Sequence, residues 1–317
     1  MRIAVTGSTG LIGSHLVPAL RADGHDVIRL VRGRAAAADE VSWDPPSRTI
    51  DLPGLAGTDA VIHLAGAPIA AQRWSDEHKR AIRDSRVDGT TTIALTCARL
   101  DPRPRALVSG SAVGWYGDTA DTAVDETVQA GTGFLPDVVR AWEAATAPAE
   151  DAGIRVAHAR TGVVLAPDGG LLVAGVPLPG GLRISLLRLF RAGLGGRIGS
   201  GRQWMSWISI ADEVAALRWL VTTEELTGPV NLTAPRPVRN AELTAVIAKA
   251  VHRPAVLPVP AFALRAVAGE LSQEALGSQR VLPRKLERSG FVFAHPTIDV
   301  AIDAVVSAPG AVTGSPR

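Results

Sequence analysis

The strongest constraint on how this chain can fold lies at its very start. Arg2-Ile3-Ala4-Val5-Thr6 is a short apolar run, and it leads directly into Gly7-Ser8-Thr9-Gly10-Leu11-Ile12-Gly13. An amphipathic segment, Leu11–Ala22, follows and is closed by Asp23-Gly24, and Asp26–Val31 is again strand-like. Strand, glycine turn, helix and strand in that order make a βαβ unit. Gly7 permits a tight turn out of the strand, Gly10 lets backbone N–H groups approach a pyrophosphate, and Gly13 lets the helix pack close to the sheet. The new helix also turns its positive end toward the phosphates. Gly7, Ser8, Thr9, Gly10, Leu11, Ile12 and Gly13 are therefore the candidate dinucleotide contacts. The competing reading is a glycine turn kept for packing alone.

The end of the second strand bears on which dinucleotide fits. An acid there would bond the ribose 2′-hydroxyl of NAD. This chain instead has Leu30-Val31-Arg32-Gly33-Arg34, with no carboxylate. Arg32 suits the 2′-phosphate of NADP(H) as a charge-assisted partner, with help from Ser8. NADP(H) is thus favoured over NAD. The alternative is that Arg32 and Arg34 are solvated loop residues.

Beyond this unit, strand-like and helix-like runs keep alternating. Strands are predicted at 60–65, 106–109, 155–160, 204–210 and 230–233. Helices are predicted at 76–97, 136–151, 184–192, 211–221 (started by Asp212), 241–251 (capped by Asn240) and 262–276. Residues 163–182 read as a Gly/Pro-rich loop or domain crossing. The pattern predicts an α/β fold, a Rossmann-type doubly wound parallel sheet with a smaller C-terminal substrate domain. Residues 1–164 and 205–236 are assigned to the dinucleotide domain and 165–204 with 237–306 to the smaller one, with a disordered tail at 307–317. At 46% hydrophobic and 20% charged residues, the chain can bury a core of this size.

Several function classes are disfavoured. Net charge is +2 and no Lys/Arg block stands out, so nucleic acid is not an expected partner. No apolar run approaches the roughly 18–20 residues of a membrane span. The single cysteine, Cys97, cannot form an internal disulfide, which fits a reducing cytoplasm; it reads as inert core. The N-terminus enters a strand at once, leaving no signal peptide. The His residues show no metal-ligand spacing, so no metal site is expected, and His63 reads as structural.

Longer motifs extend the reading. They are TGSTGLIGSHL at 6–16, HLAGAPIA at 63–70, RWSDEHK at 73–79, SRVDGT at 85–90, SGSAVGWYG at 109–117, DE at 125–126, GTGFL at 131–135 and WEAA at 142–145. They continue as RTGVVLAPDGG at 160–170, GSGRQWMSWI at 199–208, GPVNLTAP at 228–235 and GELSQEALGSQRVLPRKLERSGFVF at 269–293. Together they resemble the extended short-chain dehydrogenase/reductase superfamily, and more narrowly its atypical "epimerase family" subgroup with a C-terminal module of unknown function. The resemblance covers nearly the whole chain. It implies an NADP(H)-binding domain, a small-molecule substrate of carbonyl or sugar-nucleotide type, NAD(P)-dependent epimerase or oxidoreductase chemistry, and a homodimer. Leu64, Ala65, Gly66, Arg86 and Ser109 join the cofactor candidates by the same likeness.

The superfamily works with a Ser, a Tyr and a Lys, the last two in a YxxxK pattern. Ser111 matches the Ser. If Glu143 is the acid that often follows the Tyr by eight positions, Leu135 stands at the Tyr position and Val139 at the Lys position. Neither can transfer a proton. The only tyrosine is Tyr116, so Ser111, Tyr116 and Glu126 are the catalytic candidates, and Arg202 and Trp204 the substrate-pocket candidates. A non-catalytic NADP(H) sensor or partner-binding protein is the alternative function.

Overall fold

A computed structural model describes residues 1–170, 176–177 and 183–308. The predicted loop at 163–182 therefore lies partly outside the described residues, and the predicted tail lies outside them from residue 309.

Eight strands form one sheet. In chain order they are β1 (Arg2–Thr6), β2 (Asp26–Arg32), β3 (Glu40–Asp44), β4 (Thr49–Ile50), β5 (Ala60–His63), β6 (Ala106–Ala112), β7 (Arg155–Thr161) and β8 (Gly228–Leu232). Their spatial order is β8-β7-β6-β5-β1-β2-β3-β4, all parallel except β4, which pairs antiparallel with β3. The chain runs outward from β1 to one edge, then returns to β5 and fills the other side. The topological switch therefore falls between β1 and β5, where open α/β sheets bind ligands beyond their strand ends.

Both sheet faces are buried, as a parallel sheet requires. On one face Ile3, Val5, Ile62 and Val108 pack with Leu16 and Leu20 of α1 (Leu11–Ala22) and with Leu217 and Leu220 of a later helix, Ile210–Thr222. On the other, Ala4, Val61 and Leu107 meet Ile93, Ala94 and Cys97 of α2 (Asp76–Arg99). Cys97 is buried and burial pushes its thiol up to about 12, so it stays protonated. A further core joins Leu187, Phe190, Trp207, Leu243 and Ile302.

Local chemistry explains where the structure departs from the sequence reading. The helix predicted at 136–151 splits into α3 (Phe134–Ala144) and Ala147–Asp151. Pro148 lacks an N–H and disfavours helical geometry before it, so the chain kinks there. The strand predicted at 204–210 is two pieces. Trp204–Met205 pairs antiparallel with Val238–Arg239, and Trp207–Ser209 pairs parallel with Val163–Leu165. Ser206 is the pivot, its Oγ accepting from Val281 N at 2.8 Å and donating to Gln279 O at 2.8 Å.

Two helix starts also differ. Ser209, not Asp212, caps Ile210–Thr222 by accepting from Asp212 N at 3.1 Å. The carboxylate of Asp212 instead receives Ala294 N and His295 N at 2.7 and 3.0 Å. Asn240 is already the first residue of its helix, and its Oδ1 accepts from Ile198 N at 2.8 Å. The predicted helix at 262–276 breaks at Gly269, whose φ of 60° is one that L side chains rarely adopt.

Candidate functional site

The glycine loop sits at the switch point. Gly7 has φ 67°, and a Cβ there would lie 2.9 Å from the Leu64 carbonyl carbon at the end of β5. A Cβ on Gly13 would lie 2.2 Å from Gly7 O, so only glycine lets α1 begin this close to the loop. Gly10 caps α1 without a side-chain bond, leaving the helix start open to a ligand. Ser8 is buried beneath the loop, while Thr9 and Gly10 are exposed. Leu11 is contacted by Gly169, and His15 pairs with Asp168 at 3.1 Å, so the segment after β7 closes over the start of α1.

A single hydroxyl staples this corner. Thr6 Oγ1 accepts from Leu64 N and Ala65 N at 3.0 and 3.1 Å. Both lone pairs are then used, so its proton goes to His63 Nδ1 at 2.7 Å. That assigns the Nε2–H tautomer to His63. The ring is fully buried, and burial pushes its pKa down to about 3. His63 is neutral and structural.

Arg32 ends β2 and is exposed. Among the described residues its side chain makes no hydrogen bond or ion pair. Its neighbour Arg29, by contrast, is held by Asp39 and Glu40. A free guanidinium thus stands where a 2′-OH-binding acid would be.

Arg86 is buried on α2. Its Nη1 donates to Ala67 O and Ile82 O, both at 3.0 Å. Its guanidinium lies over the Trp142 ring at 4.9 Å, and a Cβ on Gly66 would come within 3.3 Å of it. Burial without a carboxylate partner pulls its pKa down to about 10, still cationic at neutral pH. The cation therefore lies between the end of β5 and the face of α3.

The three proton-transfer candidates are internally bonded. Ser111, near the end of β6, donates to Glu143 Oε1 at 2.6 Å. A hydroxyl has one proton, so in this state Ser111 does not donate to a substrate oxygen. Glu143 is gripped by Arg160 through Nε at 2.7 Å and Nη2 at 2.8 Å. Tyr116 donates to Asn231 Oδ1 at 2.8 Å and accepts from Arg160 Nη1 at 3.1 Å. Burial pushes its phenol up to about 12, against the pull of Arg160. Glu126 Oε1 accepts from Asn231 N at 3.1 Å and Lys285 N at 3.2 Å, and its carboxyl is raised by burial. Ser109 is also buried, bonded to Gly110 O at 3.2 Å.

Beside this network a cleft of about 360 Å³ opens between residues 114–136 and 265–279, with Trp74 at its side. Gly114, Gly117 and Leu135 line it from the earlier segment, and Arg265, Glu274 and Gln279 from the later one. Ser111, Tyr116 and Glu126 are not among its lining residues. A second cleft, of about 520 Å³, shares Asp118, Arg265 and Leu276 with the first and brings in Arg202 and Arg239. Trp204 stands nearby, its Nε1 donating to Asp121 at 2.9 Å and its ring within 4.6 Å of the Arg239 and Arg280 guanidiniums. The described residues hold no cluster of His, Cys, Asp and Glu able to bind a metal ion, and no described helix is long and apolar enough to cross a membrane.

Residues 3–232 match the NAD dependent epimerase/dehydratase family. The chain belongs to this epimerase/dehydratase family. Residues 259–305 match a domain of unknown function, DUF1731, which agrees with the likeness drawn from the motifs. The epimerase family protein MT2273 of Mycobacterium tuberculosis is 48% identical over 309 residues, covering 97% of this chain and 98% of the relative. The Arabidopsis thaliana epimerase family protein SDR39U1 homolog, chloroplastic, is 37% identical, covering 96% and 87%. The crystal structure of human epimerase family protein SDR39U1 with NADPH superposes with a TM-score of 0.85 at 29% identity, covering 96% of this chain and 99% of that one.

The glycine loop lies at the switch point, Arg32 at the open end of β2, Arg86 beside the end of β5, and Ser111 within the buried network. Glu143, which enters the sequence analysis only as a register mark, and Arg160, which has no role there, organise that network. A buried Arg and a buried Glu seventeen residues apart leave no local pattern.

Proposed function

We propose that this protein is an NADP(H)-dependent oxidoreductase or epimerase acting on a small carbonyl or sugar-nucleotide-like substrate. The observation that carries the reading is Arg32, a free guanidinium at the end of β2, level with an uncapped glycine loop at the switch point. A 2′-phosphate is the dinucleotide feature that such a cation selects. The human relative solved with NADPH supports the same choice.

The open start of α1 takes the pyrophosphate, and Arg32 with Ser8 takes the 2′-phosphate. Arg86 holds the nicotinamide-side ribose. It supplies from α2 the fixed cation that the superfamily takes from the Lys of YxxxK, a position held here by Val139. When bound, the cofactor supplies hydride chemistry. Ser111, Arg160 and Tyr116 form a hydrogen-bonded network that Glu143 ties to α3.

The test is NADPH oxidation, followed by its loss of absorbance, across a panel of quinones, dicarbonyls and nucleotide sugars. Turnover of any of them with deuterium transfer from one face of the nicotinamide supports the enzyme. A second reading, a non-catalytic NADP(H) sensor, is favoured by one observation: the protons of Ser111 and Tyr116 are committed internally. Tight NADPH binding with no turnover across the panel would decide for it.

A further inference from the structure

The cleft beside Leu135 lacks the superfamily's proton donor, yet one wall carries a carboxyl with nothing bound to it. Glu274 lies on the short helix Ser272–Leu276 and lines the same cleft as Leu135 and Gly114. The other polar side chains around the cleft are otherwise engaged or hold no suitable proton. Asp118 Oδ1 accepts from Ala120 N at 2.9 Å and Ser278 N at 3.2 Å. Trp74 Nε1 donates to Ile69 O at 3.1 Å. Arg265 is a cation, and the hydroxyl of Thr132 and the amides of Gln273 and Gln279 are not acids. Glu274 makes no hydrogen bond or ion pair among the described residues.

We propose that Glu274 carries the proton to and from the substrate oxygen in this cleft, standing in for the missing tyrosine. The proposal rests on the dinucleotide reading above. In the reducing direction the substrate carbonyl carbon gains a hydride and its oxygen gains the Glu274 proton. The C=O double bond becomes a single bond, the cofactor leaves oxidised, and Glu274 is left as a carboxylate. Water at the open mouth of the cleft returns the proton. The oxidising direction runs the same transfers backwards.

The electrostatic setting suits the role. Partial burial pushes the carboxyl up to about 7, while the residue keeps contact with solvent. An acid near neutrality is populated in both forms at working pH, which a proton shuttle needs. The charges around it are Arg265 from the preceding helix, Ala261–Ala268, and Asp118 from the loop after Tyr116. On the flank, Arg73 lies against Gly269, and Lys79 pairs with Glu270.

The test uses the full-length protein with NADPH as probe. Side-chain 13C resonances of labelled glutamates are followed against pH in the NADPH-loaded wild type and in Glu274→Gln. A resonance titrating near 7 or above, absent from the variant, is expected. Binding affinity is the second readout. A bound nicotinamide beside the carboxyl excludes water and raises its pKa further, so NADPH binds the protonated form better. A further rise of about half a unit makes wild-type affinity fall about threefold more than that of Glu274→Gln between pH 6 and pH 8.5. The 2′-phosphate titrates in both proteins, so the difference between them isolates the carboxyl. Glu274→Asp, which keeps a carboxyl, should keep the pH dependence. NADPH binding with a Glu274 midpoint near that of an ordinary glutamate, or with no difference between wild type and Glu274→Gln, overturns the role of Glu274 alone. Failure of NADPH to bind either protein overturns the dinucleotide reading and this proposal with it.

Discussion

Removing Glu143 should destabilise the protein far more than an average substitution. Its carboxylate accepts three charge-assisted bonds, from Ser111 Oγ at 2.6 Å, Arg160 Nε at 2.7 Å and Arg160 Nη2 at 2.8 Å. Its side chain is 8% exposed and that of Arg160 is 2% exposed, so water cannot replace the lost partner. Glu143→Ala strands a buried guanidinium, which costs about 3–5 kcal/mol. For a chain of this size, with Tm falling on the order of 2 °C per kcal/mol, the drop is about 6–10 °C. The double change Glu143→Met with Arg160→Met removes both charges while keeping apolar volume against Trp115, whose ring lies 3.9 Å from the guanidinium. It should therefore recover most of the loss, because two well-packed apolar groups avoid the desolvation cost of the pair. Ser111 loses its acceptor in both variants, so that cost cancels in the comparison. Differential scanning fluorimetry of wild type and the two variants, without ligand, reads the effect. A Tm drop below about 2 °C in Glu143→Ala, or a double variant no better than the single one, would refute the reasoning.

Two further outcomes follow from the same geometry. Gly13→Ala places a methyl 2.2 Å from Gly7 O; the loop must move, so NADPH affinity measured by fluorescence should fall at least about tenfold, and unchanged affinity would place the cofactor elsewhere. Glu213 is fully buried with Oε1 bonded to Thr161 at 2.8 Å and Oε2 unpaired, and burial pushes its carboxyl up to about 8. The folded state therefore holds a proton that the unfolded chain releases near the ordinary glutamate value. Its contribution to stability is full below that value and is lost as pH rises toward 8. Glu213→Gln should remove this slope from urea melts taken between pH 5 and pH 8, and parallel slopes in the two proteins would show that Glu213 is not protonated.

The sheet was legible because its signals are local. The glycine turn, the apolar strands and the alternation with helices all lie within windows of a few residues. The edge strands β3 and β4 were missed because Ala35–Ala38 on one side and Pro45-Pro46 on the other hide the strand pattern. Asn240 and Asp212 have the chemistry of helix caps, but tertiary partners took them: Ile198 N in one case, Ala294 N and His295 N in the other. The site divides in the same way. Arg32 could be read because its meaning depends on its place at the end of β2. The bonds that tie Ser111 to Glu143 and Tyr116 to Asn231 join residues far apart in sequence, and a single chain carries no mark of them. Glu274 sits in a short polar segment that reads as an ordinary exposed helix until the cleft around it is seen.

The most direct measurement is a paired titration with NADPH and NADH, following quenching of the seven tryptophans, on wild type and Arg32→Ala. Wild type should bind NADPH tighter than NADH by about tenfold or more at low salt, and Arg32→Ala should bring the two affinities close to equal by weakening NADPH alone. Equal, weak binding of both dinucleotides to the wild type would contradict the NADP(H) assignment and leave the glycine loop as a packing device.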